Sequence, residues 1–223
     1  VAGASKHTTQ YSEETKKACI KFTNEWGTNC LDLACSHQAP VDIIETMISI
    51  AGREILYETD YEGDTVLHTA CDSGGSIELV KVLLDAGGKD LVLKQNDIGD
   101  NALHCICRET KADLLMTKLL ISVGGRALLM QQDNNEGDTP LHCVCERVDL
   151  PPDIAKEMLH IGGKELVMRQ NSSFGQTALH KACSCGNIET VNLLLDIGGL
   201  ELTLIGDDYG ETALHSLRLR EIA

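Results

Sequence analysis

A short motif, Gly-x-Thr-x-Leu-His, returns down the whole length of the chain, each time behind one variable residue. The copies are Gly63-Asp-Thr-Val-Leu-His68, Gly99-Asp-Asn-Ala-Leu-His104, Gly137-Asp-Thr-Pro-Leu-His142, Gly175-Gln-Thr-Ala-Leu-His180 and Gly210-Glu-Thr-Ala-Leu-His215, with a worn copy at Gly27-Thr-Asn-Cys-Leu-Asp32. From one motif glycine to the next the steps are 36, 36, 38, 38 and 35 residues. A period between about 20 and 50 residues means a stacked array, because a unit of that size cannot bury its own apolar face and must cover it with a neighbour. Such an array serves to hold something.

The composition agrees. Aromatic residues make up only 3% of the chain while hydrophobic residues make up 43%, which suits a thin aliphatic seam between small helices. The apolar run Leu119 to Val123 is cut by Gly124, Gly125 and Arg126, well short of the ~20 residues a membrane span needs. No membrane contact is expected. Val1 to Ser5 lack the basic start and apolar stretch of a signal peptide. The absence of an initiator Met suggests an excerpt.

Ten cysteines raise the question of disulfides or metal. Cys35, Cys71, Cys107, Cys145 and Cys183 fall at one equivalent position in successive repeats. Stacked helices lie roughly 8–10 Å apart, whereas a disulfide wants Cα atoms about 4.4–6.8 Å apart. The Cys-x-Cys pairs at 105/107, 143/145 and 183/185 point about 200° apart on a helix and cannot face one zinc. Packed free thiols, and hence an intracellular, reducing compartment, are the expectation. The five histidines are likewise spaced too widely to share a metal, and are expected to hydrogen-bond their own turn and the neighbouring repeat. No metal and no cofactor is anticipated.

One repeat, Asp60 to Asp97, shows the plan. A turn at 60–64 leads to a short helix opening at Thr65; Ser73-Gly-Gly75 breaks it; a second helix runs through Ile77, Val80, Leu83 and Leu84 at helical spacing. Gly87-Gly88 then stops that helix, glycine being free to take a left-handed conformation. The threonine opening each first helix is placed to cap free amides, and the leucine of each motif is the core knob.

These residues resemble the ankyrin repeat family, whose consensus runs Gly-x-Thr-Pro-Leu-His-x-Ala. Gly137 to His142 matches it through the histidine, and Gly175-Gln-Thr-Ala-Leu-His-Lys-Ala182 differs only in Ala for Pro. The resemblance implies an all-α repeat solenoid of stacked ankyrin-type helix-turn-helix units joined by β-hairpin-like loops. It covers 24–223 as five full repeats, the first degenerate, and a partial sixth, behind an N-terminal capping helix or tail at 1–23. The unit here is longer than the ~33-residue ankyrin repeat. It closes with Gly87-Gly-Lys-Asp-Leu-Val-Leu-Lys-Gln-Asn96 and its echoes Gly124 to Gln132 and Gly162 to Asn171, which lengthen the connection and add room for a helical turn. Ser12 to Phe22 reads as a capped helix whose apolar side, Ala18, Cys19 and Phe22, covers the first repeat. The last repeat is expected to stop after one helix, with Leu217 to Ile222 offering charges to solvent.

The resemblance also implies a partner protein or peptide held on a concave surface of loop tips and first helices. Before each motif glycine stand Trp26, Glu62, Ile98, Glu136, Phe174 and Tyr209; after it stand Thr28, Asp64, Asp100, Asp138, Gln176 and Glu211. The second row is mostly acidic and the chain carries a net charge of -15, so a basic partner is favoured and nucleic acid disfavoured. The aromatic members of the first row are candidate anchors. A third row, Thr69, Cys105, Cys143, Lys181 and Ser216, should face the same side, with Cys105 and Cys143 partly exposed. No Walker loop, nucleophile elbow or H-E-x-x-H sequence is present, so catalysis within this chain is not expected. The working expectation is a monomeric, non-enzymatic interaction scaffold; the alternative is the regulatory or targeting portion of a larger, possibly enzymatic, protein.

Overall fold

Five pairs of antiparallel helices follow one another in the computed structural model, which describes residues 12–108 and 112–217. The expectations for Val1 to Ser5 and for 218–222 lie outside the described residues. A single N-terminal helix, α1 (Glu13–Lys21), precedes the pairs. The inner helices are α2 (Cys30–Ser36), α4 (Val66–Asp72), α6 (Ala102–Arg108), α8 (Pro140–Cys145) and α10 (Ala178–Cys185). The outer helices are α3 (Val41–Ala51), α5 (Ile77–Val92), α7 (Leu114–Leu129), α9 (Pro152–Val167) and α11 (Ile188–Thr203). Each inner helix packs on the next inner helix and, from α3 on, each outer helix on the next outer one, which is the geometry of an all-α solenoid. Among the described residues no helix is long and apolar enough to cross a membrane.

The motif leucines Leu31, Leu67, Leu103, Leu141 and Leu179 are at most 1% exposed, so each stabilises the stack by about 1.5–3 kcal/mol. Cys35, Cys71, Cys107, Cys145 and Cys183 lie in the same seam as free thiols. Pro140 occupies the first turn of α8, where its missing amide costs nothing.

The Gly-Gly closure differs from a helix stop. Helical hydrogen bonding resumes beyond it, so α5, α7, α9 and α11 each kink at Gly88, Gly125, Gly163 and Gly199 and run one turn further. The two glycines act for different reasons. Gly88 sits at φ 64°, ψ -153°, a region essentially reserved for glycine, with open space around it. Gly87 is ordinary in backbone, but a Cβ there would lie 2.6 Å from the Cβ of Leu91, which is fully buried. The extra residues of the long repeat are this added turn, with Leu91, Leu128, Leu166 and Leu202 plugged into the space that the first glycine leaves.

Both ends depart from expectation. Ser12 does cap α1, its hydroxyl accepting from the Thr15 amide, yet Ala18, Cys19 and Phe22 all face solvent. Ile20 is the α1 side chain that packs on the core. At the other end Thr212 to Ser216 forms a turn and not a helix. Ala213 is buried while Leu214 and His215 point outward, since no outer helix among the described residues gives them a surface to pack on.

Candidate functional site

The loops that carry the variable residues are built from a residue the motif did not include. Asn24, Asp60, Asn96, Asp133, Asn171 and Asp207 precede the motif glycines by three residues or, in the two 38-residue steps, four. Their side-chain oxygens accept loop amides: Asp60 from Glu62 and Asp64, Asp207 from Tyr209 and Glu211, and Asp133 from four amides, 135 to 138. Each motif glycine then turns the loop at positive φ, 81° at Gly27 and 79° at Gly99. The fingers so formed are antiparallel, with isolated bridges Thr59 to Thr65, Gln170 to Thr177 and Gly206 to Thr212, matching the hairpin-like loops expected.

Successive fingers are bonded into one strip. The carbonyls of Trp26, Glu62, Ile98, Glu136 and Phe174 accept from the amides of Tyr61, Asp97, Asn134, Ser172 and Asp208 in the next finger. Gln95, Gln132 and Gln170 each donate to the motif-glycine carbonyl of their own finger and to a carbonyl one repeat on. Histidine makes the third link. Nδ1 of His68, His142 and His180 accepts from the amide of the opening threonine, and in His104 from that of Asn101, at 3.1–3.2 Å. Nε2–H then donates to the carbonyls of Asp100, Asp138, Gln176 and Glu211. Burial lowers all four imidazoles below their usual range, His104 to about 4, so they stay neutral and keep this tautomer. The histidines therefore couple repeats, as the spacing suggested.

The first row of variable residues lies at the finger tips. Trp26 is 64% exposed, Ile98 45%, Phe174 37% and Tyr209 78%. Tyr61, one place earlier in its finger, is 75% exposed and lies against Gly27, next to Trp26. Four of the seven aromatic residues in the chain thus stand at tips, as two neighbouring pairs, Trp26 with Tyr61 and Phe174 with Tyr209. Glu62 is exposed and Glu136 half-buried.

The second row is not a free acidic stripe, which corrects the expectation. Asp64 is half-buried and accepts from Asn96 of the next finger at 2.7 Å; Asp138 is buried and accepts from Asn171 at 2.8 Å. Asp100 is buried too, but its counterpart in the next finger is Asp133, which cannot donate. Arg108 bridges these two carboxylates instead. Oδ1 of Asp100, the equivalent of the atom that accepts asparagine elsewhere, has no partner among the described residues, and burial pushes Asp100 up to about 6 despite Arg108. Thr28 and Gln176 are half-buried and Glu211 is exposed. In the third row Thr69, Cys105 and Ser216 are half-buried, whereas Cys143, expected to be partly exposed, is only 5% so. Its thiol is pushed up to about 12 by burial.

Lys181 is buried as well and collects three carboxylates: Glu136 at 2.6 Å, Asp138 at 3.2 Å and Glu146 at 3.5 Å. Burial opposes its charge, but these partners outweigh it and hold the ammonium above its ordinary range. Beside Arg108 opens a cleft of about 480 Å³ lined by Arg108, Asp133, Asn135, Glu136, Asp138, Cys143, Glu146 and Arg147. Asp133, Asp138 and Cys143 bring one donor atom each within 4.8 Å of the others. That trio does not suit a metal ion: Asp133 already serves four amides and Arg108, Asp138 serves Asn171 and Lys181, and two fixed cations stand beside it. Sequence reasoning placed Glu136, Asp138, Cys143 and Lys181 on this face, but missed Tyr61, Arg108, Asp133, Glu146 and Arg147. The recurring Asn/Asp before each glycine was visible as a pattern; Arg108 follows no period.

Comparison with known proteins agrees with this geometry. A family model of a single ankyrin repeat matches residues 62–97, and one of three ankyrin repeats matches residues 149–217. The repeats at 62–97 and 149–217 are ankyrin repeats. Among solved structures it is similar to the ankyrin repeat domain of Bcl-3, a member of the IkappaB protein family, at 21% identity and a TM-score of 0.74. The match covers 93% of this chain and 88% of that one. No curated protein gives a significant sequence match.

Proposed function

We propose that this array is a non-enzymatic, monomeric scaffold that grips a partner protein or peptide along its finger tips and concave face, and that the partner is basic. The observation that carries the reading is the placement of four aromatic side chains at the tips of a hydrogen-bonded strip. Aromatic rings held on a rigid frame and left in water are costly to expose and are the usual anchors of protein interfaces. The net charge of -15 and the exposed carboxylates of Glu62, Asp97, Glu146, Asp208 and Glu211 support a cationic partner and disfavour nucleic acid. The ankyrin repeats, and the likeness of fold to an ankyrin repeat domain of the IkappaB group, support protein recognition. Ten free cysteines, half of them in one buried rank, support an intracellular, reducing setting.

Trp26, the one tryptophan, sits at a tip and reports occupancy directly. Titration with peptides selected from a lysine- and arginine-rich array is expected to shift its emission. Substituting Phe174 and Tyr209 by Ala should weaken the selected peptides by tenfold or more, and affinity should fall steeply with salt. Binding that ignores both the double substitution and the salt would refute the reading.

A further inference from the structure

The cleft beside Arg108, whose carboxylates Glu136, Asp138 and Glu146 pair with Lys181 behind them, has an uneven charge balance. At its Arg108 side one guanidinium serves two carboxylates, Asp100 and Asp133. At the other side one ammonium serves three, Glu136, Asp138 and Glu146. Arg147, the remaining cation of the lining, pairs with Asp149 at the rim. The excess is therefore negative and lies at the mouth, where the side chains of Glu136 and Glu146 remain 43% and 56% exposed. Each of these two carboxylates gives one oxygen to Lys181, Oε2 of Glu136 and Oε1 of Glu146, and no hydrogen bond or ion pair among the described residues engages the other. The floor offers no such capacity, since Asp133 and Asp138 are engaged on both oxygens.

We propose that this cleft is a socket for one arginine side chain of the partner, its guanidinium accepted by the other oxygens of Glu136 and Glu146. The proposal rests on the reading of the array as a binder of a basic protein. A volume of about 480 Å³ falls low in the ~300–1,000 Å³ span of ligand sites, room for a long side chain and not for a helix. A guanidinium suits the mouth better than an ammonium. Its planar fork reaches two acceptors at once, sheds water more readily and can lie along the Arg108 guanidinium face to face, whereas a lysine presents one compact charge beside Lys181. Phe174, two residues beyond Ser172 on the adjoining finger, gives the flanking backbone of such a partner an apolar rest.

The test needs no knowledge of the partner. Backbone amide resonances of the whole chain are followed while N-acetyl-arginine amide, its lysine analogue and neutral N-acetyl-citrulline amide are added in turn at millimolar concentration. Arginine should shift the amides of Asn135, Glu136, Glu146 and Arg147 in a saturating manner, lysine severalfold more weakly and citrulline not at all. The double substitution Glu136→Gln, Glu146→Gln should abolish saturation while leaving the remaining resonances in place. Shifts spread evenly over the acidic surface, or equal shifts with citrulline, would overturn the socket. If the selected basic peptides still bind through Trp26, the scaffold reading survives that failure; if neither binds, both fall.

Discussion

At the scale of single residues, one position shows what the repeated histidine contributes. Asp32 stands where the other full repeats have histidine; one oxygen accepts from the Asn29 amide and the other is buried with no partner among the described residues. The Asp64 carbonyl, equivalent to those that accept imidazole elsewhere, receives no such bond. Burial, helped by the charges of Asp60, Glu58 and Asp64, drives Asp32 up to about 7 against the pull of the Asn29 amide. The folded pKa lies above the unfolded one, so the native state keeps a proton that the unfolded chain releases, and Asp32 costs stability increasingly as pH climbs from about 4 to 7. Asp32→Asn should therefore gain on the parent protein over that window, by up to roughly 4 kcal/mol at 1.36 kcal/mol per unit, and level off above it. Chemical denaturation of both proteins from pH 4 to 8 measures the difference; a constant gap would refute it. Asp32→His should raise the melting temperature by several degrees through a bond worth about 1 kcal/mol. The four native histidines act with opposite sign. Their folded pKa values are depressed, so the stability they supply is complete above about 6.5 and drains away as pH falls toward the value near 4 of His104.

Among elements, the long repeat rests on two glycines with separable tasks. Gly88→Ala forces a side chain into a conformation that should cost about 1–3 kcal/mol whatever its neighbours. Gly87→Ala instead collides with Leu91, whose Cβ is part of the clash, so its cost should shrink when Leu91 is also made Gly, while the cost of Gly88→Ala should not. A double-mutant cycle by denaturant unfolding separates them; equal coupling would contradict the assignment. The junction of the third and fourth fingers offers a second cycle. Arg108→Ala leaves Asp100 and Asp133 buried and facing each other, at an expected cost of about 3–5 kcal/mol. With Asp133→Asn in place, the new amide can donate to Asp100 as Asn96 and Asn171 do to theirs, and the loss of Arg108 should then cost less than half as much. Sequence reasoning reached the elements themselves, because a repeated apolar spacing and a repeated Thr-x-Leu-His declare helix, cap and core. It reached the room for a further turn beyond Gly-Gly but not the helical continuity across it, nor the burial of the acidic row. The first depends on whether helical bonding resumes after one unusual residue, and the second on which finger lies against which, something only the stacked structure specifies.

For the molecule as a whole, the sequence and the structure divide the work of the motif. Thr, Leu and His are spent on joining repeats, and Gly on turning the fingers. What remains variable and exposed is a strip with an aromatic pair towards each end and a charged cleft between the third and fifth fingers. Tyr61 and Phe174 show why part of this surface was legible and part was not: Phe174 shares the register of the motif glycine, whereas Tyr61 slips one place from it and joins Trp26 only through the stacking of the first two fingers. The central claim is that partners meet this strip and not the outer helices. Hydroxyl-radical footprinting of the whole chain, with and without a tightly bound basic peptide, tests it most directly. Protection is predicted at Trp26, Tyr61, Phe174 and Tyr209 and around Glu136 and Glu146, with α3, α5, α7 and α9 unchanged; protection concentrated on those outer helices, with the finger tips still reactive, would contradict the account.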